Sequence, residues 1–70
     1  MCQATVYLVR EGQADERIME DVTRLDVVEG GVRIATFFEE PQVIPAQVSH
    51  IDFLKHTVTL VANESSQEGI

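Results

Sequence analysis

The amino-acid sequence predicts an all-β domain: a small antiparallel barrel or sandwich of SH3-like size, built from five to six short strands. Three observations lead there. Short runs rich in β-branched and aromatic residues alternate with polar ones along most of the chain. Glycine and proline punctuate those runs at close intervals. The chain has 70 residues, enough for one small domain, and 44% of them are apolar, enough for a core.

Residues 3–10 (QATVYLVR) open the first strand, apolar on both faces at its centre. Gly12 marks a turn. Residues 15–22 (DERIMEDV) carry Ile18 and Val22 at helical i, i+4 spacing, but the segment is short and flanked by turn signals, which favours a strand. Residues 24–29 (RLDVVE) alternate with Leu25 and Val27 on one face. Residues 32–38 (VRIATFF) alternate as Val32, Ile34, Thr36 and Phe38 against Arg33, Ala35 and Phe37. Gly30-Gly31 between these runs reads as a hairpin turn whose two centres take positive φ. Pro41 and Pro45 confine residues 41–47 to an edge or a loop, because proline cannot donate to a ladder. Residues 48–53 (VSHIDF) form the next strand, Leu54-Lys55-His56 a turn, and residues 57–62 (TVTLVA) the last strand, with Val58 and Leu60 inward. Residues 1–64 are expected to form the single domain, and residues 65–70 a frayed, disordered tail.

Charge and composition narrow the function classes. The net charge is −7, from five basic and twelve acidic residues. Arg10, Arg17, Arg24, Arg33 and Lys55 are scattered, and most have acidic neighbours. A nucleic-acid binder needs clustered cations to release phosphate counterions, so nucleic acid is not expected as a partner. No apolar run approaches the ~18–20 residues of a membrane helix, and the start lacks a signal peptide's basic and long apolar regions. The single cysteine cannot pair within the chain, and a lone thiol suits a reducing compartment. A cytoplasmic location is expected.

That cysteine, Cys2, stands next to Met1. The Met1 amine, the deprotonated Cys2 amide nitrogen and the Cys2 thiolate can close two adjacent five-membered rings around one ion. Such an N,N,S set is nearly planar. Square-planar coordination by nitrogen and thiolate suits Ni(II) and Cu(II), whereas Zn(II) prefers a tetrahedron. The competing reading is a cysteine acting as a small buried hydrophobe at a strand start.

The other chemistry-bearing residues point to less. Ser49, His50 and Asp52 hold the residue types of a triad, but adjacent strand residues face opposite ways, so Ser49 and His50 diverge. Glu11, Asp15, Glu16, Glu20 and Asp21 read as a solvated face, and Glu39-Glu40 as the flank of a turn. His50 and His56 lack a metal-ligand spacing partner, although either could fill a fourth position beside Cys2. Tyr7, Phe37, Phe38 and Phe53 mostly read as core. No enzymatic constellation emerges.

Met1-Cys2-x-Ala4-x-Val6-Tyr7-Leu8, Leu25-Asp26-Val27, Gly30-Gly31-Val32, Ile51-Asp52-Phe53 and Val58-Thr59-Leu60 together resemble the CooT family, small nickel-binding proteins associated with carbon monoxide dehydrogenase maturation. The resemblance spans nearly the whole chain, and the N-terminal Met-Cys is its specific part. It implies a small β-fold homodimer, Ni(II) coordination that depends on Cys2, and delivery or buffering of nickel for the enzyme's nickel–iron–sulfur cluster. It implies carbon monoxide dehydrogenase or its maturation proteins as partners. If two N-termini lie near a two-fold axis, paired Cys2 thiolates and nitrogens would complete one square plane. The alternatives are a small RNA-binding barrel or a protein-interaction module without a metal role.

Overall fold

A computed structural model of the chain describes residues 3–63. Six strands, β1 (Ala4–Val9), β2 (Glu16–Val28), β3 (Gly31–Thr36), β4 (Gln42–Ile44), β5 (Ala46–Asp52) and β6 (Thr57–Ala62), form one sheet in the order β4-β3-β2-β1-β6-β5. The all-β class and strand number match the expectation. All neighbouring strands pair antiparallel except β1 and β6, which run parallel from Thr5↔Thr57 to Val9↔Val61.

The strand directions explain the curl. β1, β3 and β6 run one way, and β2, β4 and β5 the other. β4 and β5 therefore continue in the same direction, with only Pro45 between them, yet they occupy opposite edges of the sheet. The two edges must meet at Pro45, and the sheet rolls into a half-barrel. Proline suits the corner because its carbonyl can still accept while its nitrogen owes no ladder bond. The Asn63 N–H donates to the Pro45 carbonyl at 3.0 Å, and the Asn63 side-chain amide donates to the Gly30 carbonyl at 3.2 Å. Gly31 packs so closely on the Ile44 carbonyl oxygen that a Cβ would overlap it.

The Gly30-Gly31 hairpin forms with its turn one residue earlier than expected. Glu29 and Gly30 are the turn residues; Gly30 takes φ +83°, whereas Gly31 already belongs to β3. Glycine is thus required at 30 for backbone freedom and at 31 for lack of a side chain.

The two strands expected over residues 15–22 and 24–29 form one 13-residue strand, Glu16–Val28. β2 serves two neighbours: its first half pairs with β1 and its second half with β3, meeting at Val22. Three register shifts let it bend between them, and Asp21 takes φ +59° at one. Bulges insert an extra residue and raise local twist, which closes a small barrel.

The core consists of Val6, Leu8, Val22, Val32, Ile34, Ala46, Val58 and Leu60. Its centre is the parallel ladder, where Val6 stands beside Val58 and Leu8 beside Leu60. Valine and leucine alternate there with half-buried Thr5, Tyr7, Thr57 and Thr59, as a strand with one inward face requires.

None of the four aromatic rings belongs to this core, and only Tyr7 is half-buried. Phe37, Phe38 and Phe53 are 59%, 90% and 81% exposed, which corrects their assignment to the interior. The alternation continues to Phe38 in the sequence, but β3 stops at Thr36. The Thr36 hydroxyl accepts the Phe38 and Glu39 N–H groups at 3.2 and 3.1 Å, turning the chain out of the ladder. Phe53 lies in the β5–β6 turn, beyond the last core layer.

Candidate functional site

The expected ligands Met1 and Cys2 lie outside the described residues, as do residues 65–70 of the expected tail. The residues that follow them in the chain are described. β1 is held on both sides, with Ala4 opposite Val22 of β2 and Thr5 beside Thr57 of β6. Below Thr5 the parallel ladder extends by one bond, from the Thr5 N–H to the His56 carbonyl at 2.9 Å. Gln3 is thereby brought to the edge of a groove of about 220 Å³. The groove runs over Ala4, Val22 and Val58, between Leu25 on one side and Ile51 and Phe53 on the other. Cys2 precedes Gln3 in the sequence.

The turn that bounds the groove is rigidly made. Asp52 Oδ1 accepts the Leu54 and Lys55 N–H groups, each at 3.0 Å. The Lys55 N–H is the largest influence holding the Asp52 carboxyl below its usual range; the Leu54 N–H and the charges of Lys55 and His50 act in the same direction. His56 closes the turn at φ +56° and borders the groove. That conformation favours glycine, so His56 sits there at some conformational cost.

The groove's edge is apolar and unshielded. Phe53 and Leu54 are 81% and 89% exposed, and Ile51 is also exposed. The polar groups around them carry both signs: Arg24, Asp52 and His56 line the groove, with Lys55 in the adjoining turn. An apolar groove rimmed by mixed charge can bury surface against another protein without a one-sided desolvation cost.

The suggested triad is not assembled. His50 is exposed on β5 opposite Thr59, and a register shift at Ser49 breaks the alternation from which divergence was argued. The set fails on another ground: Asp52 Oδ1 is engaged by the Leu54 and Lys55 N–H groups of the turn. Among the described residues no group of three or more His, Cys, Asp or Glu is placed to hold a metal ion.

The arginines face carboxylates. Arg10 pairs with Glu16 at 2.6 Å, Arg17 with Glu20 at 3.1 Å, and Arg24 and Arg33 share Asp26 at 3.1 and 3.2 Å. Glu11, Asp15, Glu16, Glu20, Asp21, Glu39 and Glu40 are exposed, as expected of a solvated face and a turn. Among the described residues no helix is long and apolar enough to cross a membrane.

The exposed Phe37, Phe38 and Phe53 were not legible as surface. A signal was available in Thr36 and Asp52, each two residues before the first backbone N–H that it accepts and so a stop for its strand.

Known proteins resemble this chain along most of its length. The family model for CO dehydrogenase accessory protein CooT matches residues 1–61. An uncharacterized protein of Methanothermobacter thermautotrophicus is 28% identical over 58 residues, covering 83% of this chain and 84% of that protein. A crystal structure ascribed to CooT from Carboxydothermus hydrogenoformans superposes with a TM-score of 0.78 at 25% identity, covering 90% of this chain and 100% of the other.

Proposed function

The chain belongs to the CooT family of CO dehydrogenase accessory proteins, and from that membership we propose that it is a non-enzymatic cytoplasmic carrier or buffer of Ni(II) for the dehydrogenase's metal cluster. The ion is held by the Met1 amine, the Cys2 amide nitrogen and the Cys2 thiolate. These three donors come from two adjacent residues and need no preformed pocket, but they do need a fixed base. The bond from Thr5 to His56 and the position of Gln3 on the groove supply that base. This anchoring of the strand directly behind the Met-Cys pair is the observation that carries the reading.

A second copy of the chain covers Ile51, Phe53 and Leu54. Self-association suits this face because its charges are of both signs, so a two-fold packing can set Arg24 or Lys55 against Asp52. It would also bring two N-termini toward one axis, where a second chain can complete the square plane. A thiolate must lose its proton to bind, so nickel affinity falls on acidification. A site open at a terminus suits transfer, because the recipient's ligands can attack before release is complete.

The test combines equilibrium dialysis of Ni(II) with light scattering on protein bearing its native N-terminus, Cys2→Ser and Phe53→Glu. Saturable binding lost in Cys2→Ser, with a dimer mass lost in Phe53→Glu, is the expected result. Equal nickel retention by wild type and Cys2→Ser would leave an interaction module without a metal role.

A further inference from the structure

A second apolar surface has no part in the nickel site. Phe37 and Phe38 follow β3, with their ring centroids 6.3 Å apart and their planes at 70°, an edge-to-face pair. Phe38 is 90% exposed, so the pair holds its shape without burying its larger face. The loop is fixed by the two hydrogen bonds that the Thr36 hydroxyl accepts from Phe38 and Glu39. Phe38 borders a shallow groove with Ile18 and Met19, and this groove shares no lining residue with the one beside Gln3. A solvent-facing aromatic pair on a hydrogen-bonded loop offers apolar area with few rotatable bonds to order on docking, as interface anchors do.

The charge around it has one sign. Glu20, Asp21 and Glu39 line the groove with Phe38, and Glu40 follows in the chain. Arg17 offsets Glu20 at 3.1 Å, which leaves Asp21, Glu39 and Glu40 as an acidic rim. A second copy is a poor occupant. A two-fold contact sets identical patches face to face, so this rim would meet its own like charges.

We propose that the Phe37–Phe38 loop is the docking element for a different protein, one whose contact face is an apolar cleft rimmed by lysine or arginine. Phe38 fills the cleft, and Asp21, Glu39 and Glu40 meet the basic rim. The assignment of that partner as the nickel-accepting CO dehydrogenase rests on the function proposed above; the docking chemistry does not. Recipient docking and self-association then use separate surfaces, so a dimer can present its metal while engaged.

The probe is purified nickel-free CO dehydrogenase from the same cells, immobilised and titrated with wild type, Phe38→Ala and Glu39→Lys. Phe38 is exposed, so its truncation leaves the core intact. Phe38→Ala is expected to weaken binding at least about tenfold. Glu39→Lys is expected to weaken it and flatten its decline between about 50 and about 300 mM salt. Both variants should keep the wild-type nickel uptake and the wild-type mass. Undiminished binding by Phe38→Ala, or no binding by wild type, would overturn the proposal while leaving the nickel site untouched. A Phe38→Ala protein of reduced mass would overturn it in favour of a contact between copies. Phe38-dependent binding by a chain that takes up no nickel at Cys2 would uphold the docking element and refute the carrier reading instead.

Discussion

The backbone N–H of Thr5 donates to the carbonyl oxygen of His56 at 2.9 Å, tying the start of the first strand to the turn that begins the last. This bond joins positions 51 residues apart in sequence, and it fixes the chain two residues after Gln3. Amide exchange checks it. The Thr5 amide should exchange far more slowly than that of Gln13, whose bond to Arg10 lies in an exposed turn at 3.1 Å. Equal exchange at the two would mean that β1 frays up to its core residues.

Leu60→Ala should unfold the isolated protein. Leu60 is fully buried beside Leu8 at the centre of the parallel ladder. Leucine truncation in a core costs about 2–5 kcal/mol, and a scaffold of this size has roughly 3–5 kcal/mol to lose. Urea denaturation should show little remaining cooperative transition.

Gly31→Ala should destabilise by about 1–3 kcal/mol, because the added methyl overlaps the Ile44 carbonyl oxygen where the half-barrel turns its corner. A thermal melt measures it. Gly30→Ala meets no atom within 4 Å, so its cost comes from φ +83° alone and should be about 1–2 kcal/mol.

Acid should loosen the turn that carries Phe53. The Lys55 and Leu54 N–H groups hold the Asp52 carboxyl below its ordinary value of 3.8. A carboxyl whose folded value is depressed adds stability that is fully present above the unfolded value. That contribution fades as pH falls below 3.8 toward the lowered folded value. In Asp52→Asn this component of the acid transition should be missing, as read by stability measured across that range.

Extending the chain ahead of Met1 should weaken nickel binding, because it converts the terminal amine into an amide. A tag and its cleaved counterpart, compared by competition with a nickel chelator, check this. Unchanged affinity would remove the amine from the ligand set.

Much of the fold could be read in the sequence because strand alternation is local. The runs containing Val6 and Leu8, Val32 and Ile34, and Val58 and Leu60 each put their inward residues in the core. What the sequence concealed depends on partners far along the chain. Nothing local says that β6 lies parallel to β1, or that Pro45 joins two strands at opposite edges. Thr23 reads as a break between strands, but a shift against Ala35 absorbs it within one strand. Phe38 continues a perfect alternation, and only the Thr36 hydroxyl bonds end the strand before it. The proposed chelate rests on Met1 and Cys2 alone, since a chelate built from adjacent residues needs no tertiary structure. The groove beside Gln3 was not legible, because Gln3, His56 and Phe53 meet only once the sheet has curled.

The most direct measurement is an absorbance titration of the native-N-terminus protein and Cys2→Ser with Ni(II), followed through the thiolate-to-nickel charge-transfer band. A saturable band in the wild type that is absent from Cys2→Ser establishes the thiolate as a ligand, and its endpoint separates one ion per chain from one per dimer. Weak, indistinguishable curves for the two proteins would contradict nickel carriage by this chain.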